Sequence, residues 1–80
     1  MKLAVFVVEG SKADATVDRL VAQGFRVTRL ASSGGFLRRG NTTLLVGMEE
    51  HQIPQARDTV HATAPGSLLL ALELDQYERL

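Results

Sequence analysis

The chain has 80 residues, nine basic and nine acidic side chains, a net charge of zero and no cysteine. That length holds one domain, spanning 1–80, rather than two, and the lack of cysteine excludes disulfides and thiolate metal sites and fits a cytoplasmic setting. A core of this size supplies only ~3–5 kcal/mol by itself, so association with other chains is the remaining source of stability.

Lys2 to Val8 is almost wholly apolar and rich in Val and Phe. It reads as a strand covered on both faces, and it is too short for a signal-peptide core or a membrane span. Glu9-Gly10-Ser11 ends it, and Ser11 is placed as a helix N-cap with Asp14 three residues on. Ala13, Val17, Leu20 and Val21 then form one helical stripe. Gly24 closes that helix in a left-handed conformation. Phe25 to Ser32 reads as a second strand and Thr42 to Met48 as a third, joined by a loop from Ser33 to Asn41 that holds Gly34, Gly35 and Gly40. Hairpin connections of this length are often functional. Glu49-Glu50 opens a second helix, with Pro54 in its first turn and Ile53, Ala56 and Val60 as its apolar stripe. Ala64-Pro65-Gly66 stops it, Ser67 to Glu73 is the fourth strand, and Leu74 to Leu80 is a tail.

Strand, helix, strand, strand, helix, strand is the ferredoxin-like βαββαβ arrangement, an α+β fold with an antiparallel sheet. Right-handed crossovers place both helices on one face. The first and last strands are apolar at consecutive positions, so the second face carries Leu and Val that two helices leave bare. Large exposed apolar patches are rare on monomers, which predicts a closed homo-oligomer. The pattern does not choose between dimer and trimer.

Charge is uneven along the chain. Arg26, Arg29, Arg38 and Arg39 fall between Leu20 and Met48 with no acidic residue among them, and all nine acids lie elsewhere. Two readings of that stretch stand: a local anion site, or a solvated basic hairpin that protects a sheet edge. The residue types suit a nucleotide. Glycines let backbone N–H groups approach phosphate, arginines offer forked donors, and Asn41 reads a base edge or a ribose. Phe36 and Leu37 at a loop tip suit an adenine face, with an oligomer contact as the lesser alternative for Phe36.

The run from Gly24 to Gly47, with Gly34 to Thr43 as its specific centre, resembles the signature of the PII-like cyclic di-AMP receptors. The resemblance covers roughly the first 60 residues. It implies a cytosolic trimer of ferredoxin-like subunits that binds cyclic di-AMP, or a related adenine nucleotide, in clefts between subunits and signals through a downstream protein. Carried over residue by residue, it places Arg26 and Thr28 near phosphate or ribose. Gly35, Phe36 and Leu37 border one adenine, Asn41 bonds a base, Gly47 lets the ligand lie close to the third strand, and Arg38 matches the motif. The chain departs from the pattern at Arg39, where the family has a small residue, and at Gly24, where it often has Asn. Only Ala64-Pro65-Gly66 stands where the family carries a long glycine-rich insertion, so the alternative is a trimeric interaction module that has lost nucleotide binding.

No catalytic constellation is legible. Ser32 and Ser33 lack a base partner in sequence, and Glu49-Glu50 reads as a helix-terminal charge pair. His51 and His61 lack the spacing of a shared metal site. The expectation is a protein without enzymatic activity, metal, cofactor or DNA partner.

Overall fold

The computed structural model describes residues 1–31, 40–76, 78 and 80. Its elements are β1 (Lys2–Glu9), α1 (Gly10–Ala22), β2 (Val27–Ala31), β3 (Asn41–Met48), a 3-10 turn (Glu50–Gln52), α2 (Ile53–Thr63) and β4 (Leu68–Glu73). The sheet order is β2-β3-β1-β4 and every neighbouring pair is antiparallel. This is the expected α+β arrangement. β2 begins two residues later than expected, at Val27. Its expected last residue, Ser32, lies outside the described residues.

The continuous apolar run of β1 follows from its central place between β3 and β4. Ala4, Phe6 and Val8 turn toward the helices and are buried, together with Leu44, Val46 and Met48 of β3. Leu3, Val5 and Val7 alternate to the other face and are half-buried by their cross-strand neighbours alone.

Two expectations for α1 are corrected. Ser11 is not the N-cap: the helix starts two residues earlier, Glu9 occupies the cap position in extended conformation, and the Ser11 hydroxyl donates to Glu9 Oε1 at 2.8 Å. The chain turns at Gly10 because its N–H donates to the Gly40 carbonyl at 2.6 Å. Val21 does not belong to the buried stripe. It is 54% exposed, and the buried positions are Ala13, Thr16 and Leu20. Val21 lies ~100° around the helix from Leu20, past the line that meets the sheet.

Thr16 tolerates burial because its hydroxyl is satisfied. Thr63 Oγ1 lies 2.8 Å from Thr16 Oγ1, which donates to the Lys12 carbonyl at 2.9 Å. A second bond, from Thr59 Oγ1 to Gln23 Oε1 at 2.8 Å, also spans α1 and α2. The helices therefore meet along a threonine seam rather than a purely apolar one.

The C-terminus of α1 is a Schellman motif. Gly24 has φ +93°, its N–H donates to the Val21 carbonyl, and the Phe25 N–H reaches back to the Leu20 carbonyl at 3.1 Å. Phe25 and Leu20 are both buried, which supplies the apolar contact of that motif. Ahead of α2, the Glu49 N–H donates to Gln52 Oε1 at 2.9 Å in a capping box, and Pro54 sits in the first helical turn as expected.

Candidate functional site

Cross-strand register arranges the face opposite the helices in three rows. Leu68, Val7, Thr43 and Leu30 form the first; Leu70, Val5, Leu45 and Thr28 the second; Leu72, Leu3 and Gly47 the third, which Arg26 extends at the start of β2. Eight of these positions are Leu or Val. Leu30, Leu68, Leu70 and Leu72 are 44–53% exposed. The helices shelter one face and leave this second face bare, as the apolar pattern of the strands predicts.

The polar residues are confined to one side of that face. Gly47 has no side chain to fill the third row, and β2 begins only at Val27, so a depression of about 570 Å3 opens there. Leu3 and Leu45 line it from the sheet, Val21 from the last turn of α1, Phe25 from the α1–β2 turn, and Arg26 and Thr28 from the sheet edge. Its walls combine apolar surface with one guanidinium and one hydroxyl, the composition that suits a base with its attached ribose and phosphate.

Arg26 and Arg29 separate here. Arg29 alternates to the helix face, where Asp14 Oδ1 holds Nη1 at 2.7 Å. Arg26 is exposed beside the depression and makes no ion pair among the described residues.

The structure thus brings Arg26, Thr28 and Gly47 together. It does not bring Asn41 to the same point. Asn41 opens β3 opposite Glu9, and Gly47 pairs with Leu3 at the other end of the same two strands; six residues of strand separate them by ~20 Å. Thr28 lies between, opposite Leu45. Gly35, Phe36, Leu37 and Arg38 lie outside the described residues.

One further polar residue lies on the same face, outside the depression. Thr43 is 7% exposed, and its Oγ1 is buried without a hydrogen-bond partner among the described residues. It sits on the bare face, between Val7 and Leu30. A buried hydroxyl without a partner costs ~1–3 kcal/mol, which marks it as a group that gains from an incoming donor or acceptor. Its only sequence signal is its place directly after Asn41 and Thr42.

At the far edge of the sheet, Lys2 bonds Glu73 and approaches Glu50 Oε1 at 3.6 Å, tying β1, β4 and the 3-10 turn. The hydrogen bond to Lys2, with its charge, lowers the Glu73 carboxyl below 4.5, and the same bond raises Lys2 above 10.5. Among the described residues no group of three His, Cys, Asp or Glu is placed to hold a metal ion, and no helix is long and apolar enough to cross a membrane.

A family model described as cyclic-di-AMP receptor matches residues 1–71. Among solved structures, a functionally unknown protein from Pediococcus pentosaceus is 29% identical, with a TM-score of 0.85 over 99% of this chain and 96% of its own. An uncharacterized conserved bacterial protein from Eubacterium ventriosum is 17% identical, with a TM-score of 0.69 over 89% of this chain and 97% of its own. A Shewanella baltica protein is 14% identical, with a TM-score of 0.75 over 99% of this chain and 94% of its own. The last two likenesses concern the fold alone.

Proposed function

Because the chain belongs to the cyclic-di-AMP receptor family, we propose that it is a non-enzymatic signalling protein that binds cyclic di-AMP, or a related adenine nucleotide, between the subunits of a cytoplasmic trimer. The observation that supports this most is the depression at Gly47, where Arg26, which makes no ion pair among the described residues, and the Thr28 hydroxyl border an otherwise apolar surface. Arginine binds phosphate through a fork of N–H groups, and the missing side chain at Gly47 admits a flat ring against the strand.

The spread of the candidate residues favours a ligand with two base–ribose–phosphate units. Arg26 and Gly47 stand at one end of the β2–β3 pair, Thr28 in the middle and Asn41 at the other end. A mononucleotide meets one end; a dinucleotide has a phosphate for Arg26 and a second base for Asn41. Gly35, Phe36, Leu37 and Arg38 belong to the site in this reading. Ligand binding acts by population shift, changing what a downstream protein grips.

The short Ala64-Pro65-Gly66 connection favours a second reading, an interaction module on the same scaffold that no longer binds nucleotide. Thermal shift with cyclic di-AMP, cyclic di-GMP, ATP and ADP separates the two. At 100 times the dissociation constant a ligand adds about 2.7 kcal/mol, which raises the Tm of a domain this size by ~10–20 °C. Cyclic di-AMP is expected to give this shift, and Arg26→Ala and Asn41→Ala each to reduce it. A panel in which no nucleotide raises Tm decides for the interaction module.

A further inference from the structure

The helix layer carries a second concavity, across the sheet from the depression at Gly47 and at the other edge of the strand order. α2 does not reach fully over β4. On the helix-side face of that strand Leu69 is half-buried, and Ala71, opposite Ala4, is exposed. Between β4 and the last turns of α2 lies a cavity of about 180 Å3. Its floor is apolar: Phe6 and Leu69 are cross-strand neighbours there, and Val60 closes it from the helix. Arg57, His61 and Ser67 stand at its rim, and no acidic residue lines it.

The charge on the rim is uncompensated. Arg57 and His61 are four residues apart on α2 and so share one line, a turn apart. Lys2 and Arg29 are held by carboxylates, but Arg57 makes no ion pair among the described residues. Its own helix supplies no partner, since the positions three and four away are Ile53, Pro54, Val60 and His61. Asp58 is next in sequence and lies ~100° around the helix. The guanidinium therefore keeps its forked donors for an anion from outside. The end of α2 does not oppose this. Carbonyls at a helix C-terminus repel anions, and the Ala64 carbonyl is already occupied by the Ser67 hydroxyl at 2.6 Å and the Ser67 N–H at 3.3 Å.

Size and polarity narrow the occupant. The cavity has the liquid volume of ~six waters, whereas pockets for drug-sized ligands run to ~300–1,000 Å3. A base with its ribose and phosphate is too large. An apolar floor gives nothing to a bare hydrated anion such as inorganic phosphate. We propose that this cavity binds a small organic carboxylate, with one ring or one branched chain against Phe6, Val60 and Leu69 and the carboxylate forked onto Arg57 beside His61. The site is complete within one chain and shares no residue with the depression, so it stands independently of the nucleotide reading.

Benzoate is the probe, titrated into the full chain without nucleotide and followed residue by residue in amide NMR spectra. Saturable shifts are expected at Arg57, His61, Ser67 and Leu69 and not around Gly47. Benzamide keeps the shape and removes the charge, and is expected to bind about tenfold or more weakly, because a charge-assisted bond becomes a neutral one. Arg57→Met is expected to weaken benzoate by a similar factor, and His61→Gln probes the same rim should Arg57→Met disturb the helix. Arg19→Met removes an equal charge from exposed α1 surface and is expected to leave the affinity unchanged. Four results overturn the assignment: no saturable shift at the cavity with benzoate, benzamide binding as tightly as benzoate, inorganic phosphate moving the same amides as tightly, or unaltered benzoate affinity in both Arg57→Met and His61→Gln.

Discussion

Leu70 stands in the middle row of the bare face, opposite Val5, and is 50% exposed. Fully burying a leucine side chain is worth ~1.5–3 kcal/mol, so the half still exposed in one chain has ~1 kcal/mol to gain from a neighbour. Leu70→Ala removes that gain and leaves a partial cavity, for a loss of ~1–2 kcal/mol per subunit. A trimer loses it three times, ~3–6 kcal/mol in all, because each subunit contributes the same face. For three chains the midpoint concentration follows the square root of the equilibrium constant, so the association midpoint rises roughly 10- to 100-fold. Sedimentation velocity or light scattering across a concentration series reads this directly. The fold of the single chain survives, since the buried core lies on the other face; Ala62→Ser on exposed helix surface is the matched control. An unchanged midpoint for Leu70→Ala, or a wild-type mass of one chain at micromolar concentration, refutes the reasoning.

Three further outcomes follow from named contacts. Glu73 titrates below its ordinary 4.5 when folded, so the Lys2–Glu73 bond adds stability that is complete above pH 4.5 and lost as pH falls through the lower folded value; Lys2→Met is expected to flatten that acid limb in a chemical-denaturation series. Lys2 is raised above 10.5, so wild type also loses stability as pH climbs through the folded Lys2 value, and the variant does not. Gly24→Ala meets no atom within 4 Å but must hold φ +93°, a strain of ~1–2 kcal/mol, and a Tm lower by ~4–15 °C is expected by calorimetry. Thr16→Val and Thr63→Val remove the two ends of one 2.8 Å bond, and a double-mutant cycle on unfolding free energies is expected to return a coupling of ~0.5–1.5 kcal/mol.

Much of the fold was legible because local chemistry and tertiary position agree. Gly24 reads as a helix stop and is one, since the Schellman bonds need a positive φ there. The consecutive apolar residues of β1 agree with its central place, while the same pattern in β4 stands at an edge. Other features depend on partners far apart in sequence. Val21 has correct spacing for the buried stripe, yet the line of α1 that is buried runs through Ala13, Thr16 and Leu20 and leaves Val21 exposed. Burial of Thr16 becomes tolerable only through Thr63, 47 residues away. Ser11 looks like an N-cap, but the Gly10–Gly40 bond starts the helix earlier. The candidate site follows the same division. Arg26 and Thr28 could be nominated from a motif, whereas the depression depends on Gly47 facing Leu3 across the register. That Arg26 and not Arg29 is available follows from strand alternation combined with Asp14, which no local pattern reveals.

The bare face and the proposed site share a row, and this links assembly to signalling. Leu72, Leu3 and Gly47 are cross-strand neighbours, with Arg26 at the end of the line. A ligand resting at Gly47 and Arg26 and touching a second subunit binds the assembled form better than the free chain. Linkage then requires that the ligand tighten assembly by the same factor by which assembly tightens the ligand. Leu70→Ala separates the two effects, because Leu70 weakens assembly from the middle row without lining the depression. Saturating cyclic di-AMP is expected to pull the raised association midpoint of Leu70→Ala back toward the wild-type value, and Arg26→Ala added to it is expected to abolish that rescue. If the variant binds cyclic di-AMP with undiminished affinity while its midpoint stays fixed, the ligand lies wholly within one chain and the coupling of assembly to binding is wrong.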